Sequence, residues 1–174
     1  MRATDRDTEF VEFVTAQRTA LVRMARLLTA GDDAFAEDLV QTTLTKLYVH
    51  WGRVRRAGNP VGYARTSLTH TFFDEQRRAH RRRETPSETQ TETQTEVAAL
   101  EPDLDLAHTV LAALSALAPR QRAVVVLRHW LDLDVAETAR VLSCSTGTVK
   151  SQNAKALDHL RTMLEPSIVL EELR

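Results

Sequence analysis

The feature that most constrains this chain is a stretch of 22 residues, 84–105, that is poorly suited to join a folded core. It reads ETPSETQTETQTEVAALEPDLD, in which Glu, Thr and Gln alternate almost as a repeat and apolar residues are nearly absent before Val97. Such a stretch buries too little apolar surface to offset the entropy lost on ordering. We therefore predict a flexible, self-repelling linker between two folded units. The alternative, a solvated helix, is disfavoured by the β-branched threonines at alternate positions.

Charge divides along the chain in the same way. Residues 1–83 hold 15 Lys and Arg against 10 Asp and Glu, a net charge of +5. Residues 84–105 hold 7 acidic and no basic residues, and residues 106–174 hold 8 basic against 7 acidic residues. A basic first unit, an acidic connector and a nearly neutral second unit indicate a polyanionic partner for at least the first unit.

Several functional classes are disfavoured by composition. The longest apolar run, AVVVL, is far shorter than the ~20 residues of a membrane span, and the start MRATDRDTEF lacks the apolar stretch of a signal peptide. We therefore expect a cytoplasmic protein with no membrane partner. The six histidines show no metal-ligand spacing, and Cys144 is the single cysteine. We expect no enzymatic activity, no metal and no cofactor.

Apolar periodicity predicts three helices in the first unit, residues 1–83. A break at TAGDD has Gly31 as the stop signal and Asp32 or Asp33 as the next cap, and a break at AGNP has Asn59 as cap before Pro60. The apolar stripes of the three helices are Phe10, Val14, Leu21, Met24 and Leu28; Val40, Leu44, Leu47, Trp51 and Val54; and Val61, Ala64, Leu68 and Phe72.

Basic residues concentrate in the same unit. The run RRAHRRR, residues 77–83, holds five arginines and a histidine, and further arginines precede it. A solvated helix end is one interpretation, and a phosphate-binding surface is the one we favour. Trp51 and Tyr63 flank the basic segment GRVRRAGNP, and aromatics beside arginines suit unstacked bases. For either aromatic taken alone, packing in the core is an equally good interpretation.

The sequence of the second unit, residues 106–174, predicts a helix-turn-helix. Asp134 and Glu137 have the spacing of a capping box and begin the short helix VAETARVL. After the turn SCS, Ser145 can cap a longer helix with a polar start. The second helix of such a motif presents its first turns to the major groove. The residues predicted to face DNA are Thr146, Thr148, Lys150, Ser151, Gln152 and Lys155.

Two long segments carry a family resemblance. DDAFAEDLVQTTLTKLYVHWGRVRRAGNPVGYARTSL and LSALAPRQRAVVVLRHWLDLDVAETARVLSCSTGTVKSQNAKALDHLR resemble the extracytoplasmic-function sigma factors of bacterial RNA polymerase, particularly the actinobacterial branch. AEDLVQ and LSCSTGTVKS are the most specific pieces. One departure is Gln152, where this family commonly has arginine.

The resemblance implies an all-α protein of two small helical domains joined by the acidic linker, and it assigns them roles. It implies that core RNA polymerase binds Glu37, Asp38 and Gln41, and that the helix-turn-helix reads the minus-thirty-five promoter element. It leaves open whether an anti-sigma protein holds the chain inactive. The residues that it implies for recognising and opening the minus-ten element, called here the minus-ten candidates, are Trp51, Arg53, Arg55, Arg56, Asn59, Tyr63, Arg65, Arg77 and Arg78.

Two other functions compete with a sigma factor. A stand-alone helix-turn-helix regulator explains residues 106–164 but not a separate basic, aromatic-bearing helical unit. An adaptor that binds partner proteins leaves the arginine run unexplained. Binding to core RNA polymerase with promoter-specific transcription distinguishes the sigma factor from both.

Overall fold

A computed structural model describes the backbone of residues 3–84 and 102–171, and the side chains of residues 5–82 and 107–164. Every regular element in those ranges is a helix, which confirms the predicted all-α fold class. Most of the predicted linker, residues 85–101, lies outside the described residues, so its flexibility stays a prediction.

Three long helices form the N-terminal half: α1 (Ala3–Leu28), α2 (Asp33–Arg56) and α3 (Pro60–Glu84). The predicted breaks lie where the sequence placed them. Gly31 has a φ of 92°, which a glycine adopts without strain, and the Asp32 carboxylate then accepts from the Phe35 amide at 2.9 Å. Asn59 accepts from the Gly62 amide at 2.8 Å, so α3 begins at Pro60 as predicted.

The C-terminal half contains α4 (Pro102–Ser115), α5 (Pro119–Val125), a five-residue π-helical segment (Val126–Trp130), α6 (Val135–Leu142) and α7 (Thr146–Glu171). One expectation needs correction. The linker was predicted to reach residue 105, but α4 begins at Pro102, because proline is pre-organised for the first position of a helix. The helix that begins at Pro119 also changes to π geometry at Val126. The sequence carries no marker for such a change.

Buried side chains of α1, α2 and α3 form the main core. Every residue of the predicted α2 stripe is buried, and Phe72 on α3 is fully buried. The α1 stripe is buried at Leu21, Met24 and Leu28, whereas Phe10 and Val14 are half-buried at its outer end. The periodicity of the first unit therefore predicted most of its core, with less burial near the N-terminus of α1 and at Val61 on α3.

The main core does not stop at the N-terminal half. Ala123, Val126 and Leu127 of the C-terminal half belong to the same buried cluster, and Leu131, Leu133, Val141 and Leu142 pack against it. This contact could not be predicted from the sequence, because an apolar stripe does not specify which helix covers it. The two halves pack on each other across α1, α3, α5, the π-helical segment and α6.

Among the residues that the structure describes, two side-chain hydrogen bonds join the halves. The guanidinium of Arg122 donates to the Leu28 carbonyl at the end of α1 at 3.0 Å, and also to the Ser115 and Leu117 carbonyls. These carbonyls lie at or near helix ends, where they have no intrahelical partner. Burial lowers the pKa of Arg122. At a second point, the His70 ring on α3 makes a 2.8 Å hydrogen bond from Nε2 to the Val141 carbonyl on α6.

Candidate nucleic-acid interface

The helix-turn-helix of the C-terminal half is built by local hydrogen bonds that the sequence predicted. Asp134 accepts from the Glu137 amide at 2.7 Å, and the Glu137 carboxylate accepts from the Asp134 amide at 3.1 Å, which closes the capping box. The turn is made at Ser143, whose φ is 50°, and Ser145 then caps α7 by accepting from the Thr148 amide at 3.0 Å. These bonds fix the angle at which α7 leaves α6.

Packing sets which side of α7 faces outward. Val149 and Ala156 are fully buried, so one side of the helix lies against the rest of the half. Among the predicted reading residues, those exposed to solvent are Thr146, Lys150, Ser151 and Lys155. Thr148 and Gln152 are half-buried, at the edge of the exposed side. The residues predicted to face DNA therefore form an exposed face of α7, with Thr148 and Gln152 at its border.

The hydroxyl groups near the start of α7 already have hydrogen-bond partners within the chain. Thr148 Oγ1 lies 2.9 Å from Ser145 Oγ, and Ser151 Oγ donates to the Thr148 carbonyl at 3.0 Å. Lys150, Gln152 and Lys155 have no side-chain hydrogen bond or ion pair within the described part of the chain. Two cations and one amide are thus free to bind a ligand, whereas the hydroxyls would have to exchange partners or share them.

Three residues beside this face did not emerge from the sequence. His129 Nε2 lies 2.9 Å from Asn153 Oδ1, which ties α7 to the π-helical segment. Arg140, in the last turn of α6, has a side chain that is 75% exposed and lies 4.0 Å from Glu137. In a helix-turn-helix the first helix crosses the DNA backbone. The position of Arg140 on that helix could therefore have been found from the motif alone. The His129–Asn153 contact could not, because it joins residues 24 apart whose approach depends on packing.

The minus-ten candidates around the α2–α3 turn differ in whether their side chains already have a partner within the chain. Arg53 and Arg56 are exposed and have no acidic partner within the described residues. Arg55 is paired with Glu9 at 2.8 Å, and the Asn59 side chain is engaged in capping α3. The ring of Tyr63 is 41% exposed. The structure therefore brings two free cations and one exposed aromatic to this turn.

Trp51 lies in the core and not on the surface of the turn. Its side chain is only 3% exposed, with ring centroids 5.2 Å from Phe10 and 5.0 Å from Phe13. Its Nε1 has no hydrogen-bond partner within the described residues. This position matches the core-packing interpretation that the sequence left open, and it leaves Trp51 as a support for the turn that follows.

The remaining minus-ten candidates lie elsewhere on α3. Tyr63 and Arg65 occupy opposite flanks of the helix, because successive residues are about 100° apart around its axis. Arg77 is paired with Asp74, and Arg78 with Glu75 at 2.6 Å, each within one turn. Arg77 is about 18 Å along α3 from Arg65 at 1.5 Å per residue. The sequence predicted one surface, but α3 distributes its arginines over a length and two flanks.

The residues predicted to bind core polymerase lie together on α2. Glu37 is half-buried and its carboxylate pairs with Arg18 at 2.7 Å. Asp38 and Gln41 are exposed on the same stretch. They form a polar edge whose only ion pair, within the described residues, is exposed and easily exchanged.

The described residues show neither a metal site nor a membrane-spanning helix. Within them, no group of three or more His, Cys, Asp and Glu side chains could hold a metal ion. None of the helices there combines the length and the apolar character needed to cross a membrane.

Two family patterns match this chain. The pattern described as sigma-70 region 2 matches residues 13–82, and the pattern described as sigma-70 region 4 matches residues 107–160. The first covers α2, the turn and nearly all of α3, and the second covers the helix-turn-helix. Each pattern therefore falls on one half of the structure.

Similar proteins agree with these patterns. The chain is 39% identical over 156 residues to the RNA polymerase sigma-E factor of Streptomyces coelicolor, covering 90% of this chain and 86% of that protein. It is 38% identical over 157 residues to the protein of the same name from Streptomyces avermitilis, with the same coverage. Its fold is similar to that of the sigma factor RpoE of Bartonella quintana, solved in complex with the anti-sigma factor NepR. The TM-score is 0.69 at 23% identity, over 90% of this chain and 97% of that one.

Proposed function

The chain belongs to the sigma-70 family of RNA polymerase sigma factors, and we propose that its two halves divide promoter recognition between them. As a sigma factor it acts with core RNA polymerase and directs promoter-specific transcription initiation. In our proposal the N-terminal half, α1 to α3, binds the polymerase and opens the minus-ten element. The segment between α3 and α4 connects the halves, and the C-terminal half, α4 to α7, reads the minus-thirty-five element.

The observation that carries this proposal is the order of two different nucleic-acid surfaces in one chain. The first carries free cations beside an exposed aromatic at a helix turn, which suits a single strand. The second is a helix-turn-helix whose reading helix has an exposed N-terminal face, which suits duplex in the major groove. A stand-alone regulator needs only the second surface.

At the minus-thirty-five element we assign different tasks to neighbouring residues of α7. Lys150 and Lys155 are exposed and unpaired, so they fit phosphates, which give affinity without sequence information. Gln152 has a free amide on the border of the exposed face and can pair with a base edge, as Thr148 and Ser151 can. Thr146 lies beside them at the start of the helix.

At the minus-ten element we assign strand binding to Arg53, Arg56, Tyr63 and Arg65, and support of the turn to Trp51 and Asn59. Arg55, Arg77 and Arg78 can reach phosphates by exchanging their exposed acidic partners, which costs little. Glu37, Asp38 and Gln41 would bind the polymerase. We place the protein in the cytoplasm, with no catalytic activity of its own and no cofactor. An anti-sigma partner stays a prediction, to be tested by co-purification.

The experiment is reconstitution with core RNA polymerase. Transcripts made from a fragmented genomic library would be mapped to define the promoters used, and those promoters would then be cloned as templates. We expect initiation to depend on both halves, and the free chain to bind promoter duplex weakly, because a tether adds affinity only when a scaffold fixes the spacing of the two sites. Tight, specific binding by the free chain without support for initiation would favour the stand-alone regulator.

The roles assigned to Lys150 and Gln152 predict different results in the same assay. Lys150→Ala should weaken binding about equally on all sequences and lower the salt slope by about one unit. Gln152→Ala should relax preference at one promoter position, with a loss of about 1–3 kcal/mol of discrimination if the contact is bidentate. If Gln152→Ala changes neither preference nor affinity in the holoenzyme, Gln152 is only a solvated residue of the helix.

A further inference from the structure

A cleft of about 260 Å³ lies where α1, α3 and the π-helical segment meet. Its floor is apolar, because Leu21 and Met24 of α1 and Ala64 of α3 line it and are buried. Polar and aromatic side chains complete the wall, and these are Gln17, Arg23, Arg65 and Trp130. The cleft is smaller than the roughly 300–1,000 Å³ of sites for drug-sized ligands, so it suits a ligand of one ring and one head group.

Three polar side chains of the wall have unused hydrogen-bonding capacity. Within the described residues, Gln17, Arg23 and Arg65 make no side-chain hydrogen bond or ion pair. Gln17 and Arg65 are also half-buried, so part of each is withdrawn from water. Polar groups that lose water are normally hydrogen-bonded to the protein or to a bound molecule. Two guanidinium groups and one amide are therefore available to a ligand in this cleft.

The positive charge of the cleft is not neutralised by the chain. Among the described residues that line it, none is acidic. The neighbouring arginines of α1 differ in this respect. Arg18 pairs with Glu37 at 2.7 Å, and Arg26 pairs with Asp33 at 2.6 Å. Two unpaired like charges that line one small cleft repel each other, so binding of an anion between them is favoured.

The indole of Trp130 gives the same cleft a surface for an aromatic ring. It is 56% exposed, so much of its apolar surface remains in water. A second ring can pack against an indole in an offset or edge-to-face arrangement. A simple inorganic anion would leave the indole and the apolar floor unused, and a purely apolar molecule would leave the guanidinium groups unpaired. The cleft is therefore complementary to a molecule that carries both an anionic group and a ring.

We propose that this cleft binds a small aromatic anion, an aryl phosphate or an aryl carboxylate. The guanidinium groups of Arg23 and Arg65 hold the anionic oxygens, for which their planar forks are suited, and the Gln17 amide donates to the same group. The ring packs between Trp130 and the apolar floor. Because Arg65 is also assigned to the minus-ten strand, ligand and strand compete for its guanidinium, a consequence that rests on the function proposed above.

Binding is measured through the fluorescence of Trp130. The chain has two tryptophans, so Trp51→Phe leaves Trp130 as the single reporter. Phenyl phosphate and benzoate are the probes, and their comparison distinguishes the two kinds of head group. Inorganic phosphate and phenol carry the head group and the ring separately. We expect at least one probe to change the fluorescence saturably and to bind more tightly than either separate part.

Thermal unfolding of the unmodified chain provides a second measurement of binding. A ligand that binds only the folded chain raises the Tm as its concentration rises. Arg23→Ala should weaken binding of the probe about tenfold, since a hydrogen bond to a charged group is lost. Arg18→Ala is the matched control, because it removes the same charge from α1 outside the cleft. The proposal is overturned if neither probe binds, if Arg23→Ala binds as tightly as Arg18→Ala, or if inorganic phosphate binds as tightly as phenyl phosphate.

The competition at Arg65 is tested in the reconstituted holoenzyme. The bound probe should lower promoter opening, and the reduction should be smaller in Arg23→Ala, each chain being compared with its own rate without probe. Inorganic phosphate at the same concentration controls for ionic strength and for binding of magnesium. Undiminished opening at a saturating probe concentration would overturn the competition. Normal initiation without probe binding would remove the cleft site and leave the sigma factor, whereas probe binding by a chain that supports no initiation would do the reverse.

Discussion

Replacement of Trp51 by alanine separates two roles that this residue could have at the minus-ten turn. The indole is 3% exposed and packs against Phe10 and Phe13. Truncating a buried tryptophan costs about 3–5 kcal/mol, through lost transfer free energy and the cavity left behind. The two aromatic contacts place the expected loss towards the upper end of that range. For a chain of this size the loss corresponds to a fall in Tm of roughly 6–20 °C.

Trp51→Phe is the matched comparison. It keeps an aromatic ring against Phe10 and Phe13 and removes an Nε1 hydrogen that is buried without a partner. Because an unsatisfied buried donor costs about 1–3 kcal/mol, its removal offsets part of the lost packing. We therefore expect Trp51→Phe to lose markedly less stability than Trp51→Ala, because it removes fewer buried atoms and leaves a smaller cavity.

The assay pairs thermal unfolding by circular dichroism with permanganate footprinting of promoters bound by the holoenzyme. If Trp51 supports the turn from within the core, promoter opening should fall in proportion to stability, and Trp51→Phe should open promoters nearly as the parent does. A folded Trp51→Ala chain with an unchanged Tm and lost permanganate reactivity would refute this reasoning. It would mean that Trp51 leaves the core to contact a base.

Three further predictions each concern a single side chain. Arg122→Ala should lower stability by about 2–3 kcal/mol in chemical denaturation, since charged hydrogen bonds to three carbonyls are lost; an effect below 0.5 kcal/mol would contradict that role. Ser145→Ala should cost about 1 kcal/mol by removing the cap of α7, whereas Ser143→Gly, which relieves a φ of 50°, should not destabilise. Gln152→Arg should raise affinity and salt dependence for promoter duplex or shift preference towards guanine in the holoenzyme, and loss of binding would argue against a DNA contact there.

Local structure followed from the sequence where its causes are local. The caps at Asp32, Asn59, Asp134 and Ser145 each join residues three positions apart, so the chain needs no tertiary information to form them. The apolar stripe of α2 likewise identified its buried side, because burial follows helical periodicity. The helix-turn-helix and the family resemblance both depend on this kind of information.

Only the tertiary structure decided how residues far apart in sequence lie relative to each other. The sequence allowed Trp51 to be either a surface aromatic or a core residue, and packing against Phe10 and Phe13 placed it in the core. The sequence grouped Arg65 with the arginines of the turn. In the structure Arg65 instead lines a cleft between the two halves, together with Trp130. Periodicity states which side of a helix is buried and says nothing of what buries it. The contact that joins the two halves therefore depends on shapes and distances that no local pattern encodes.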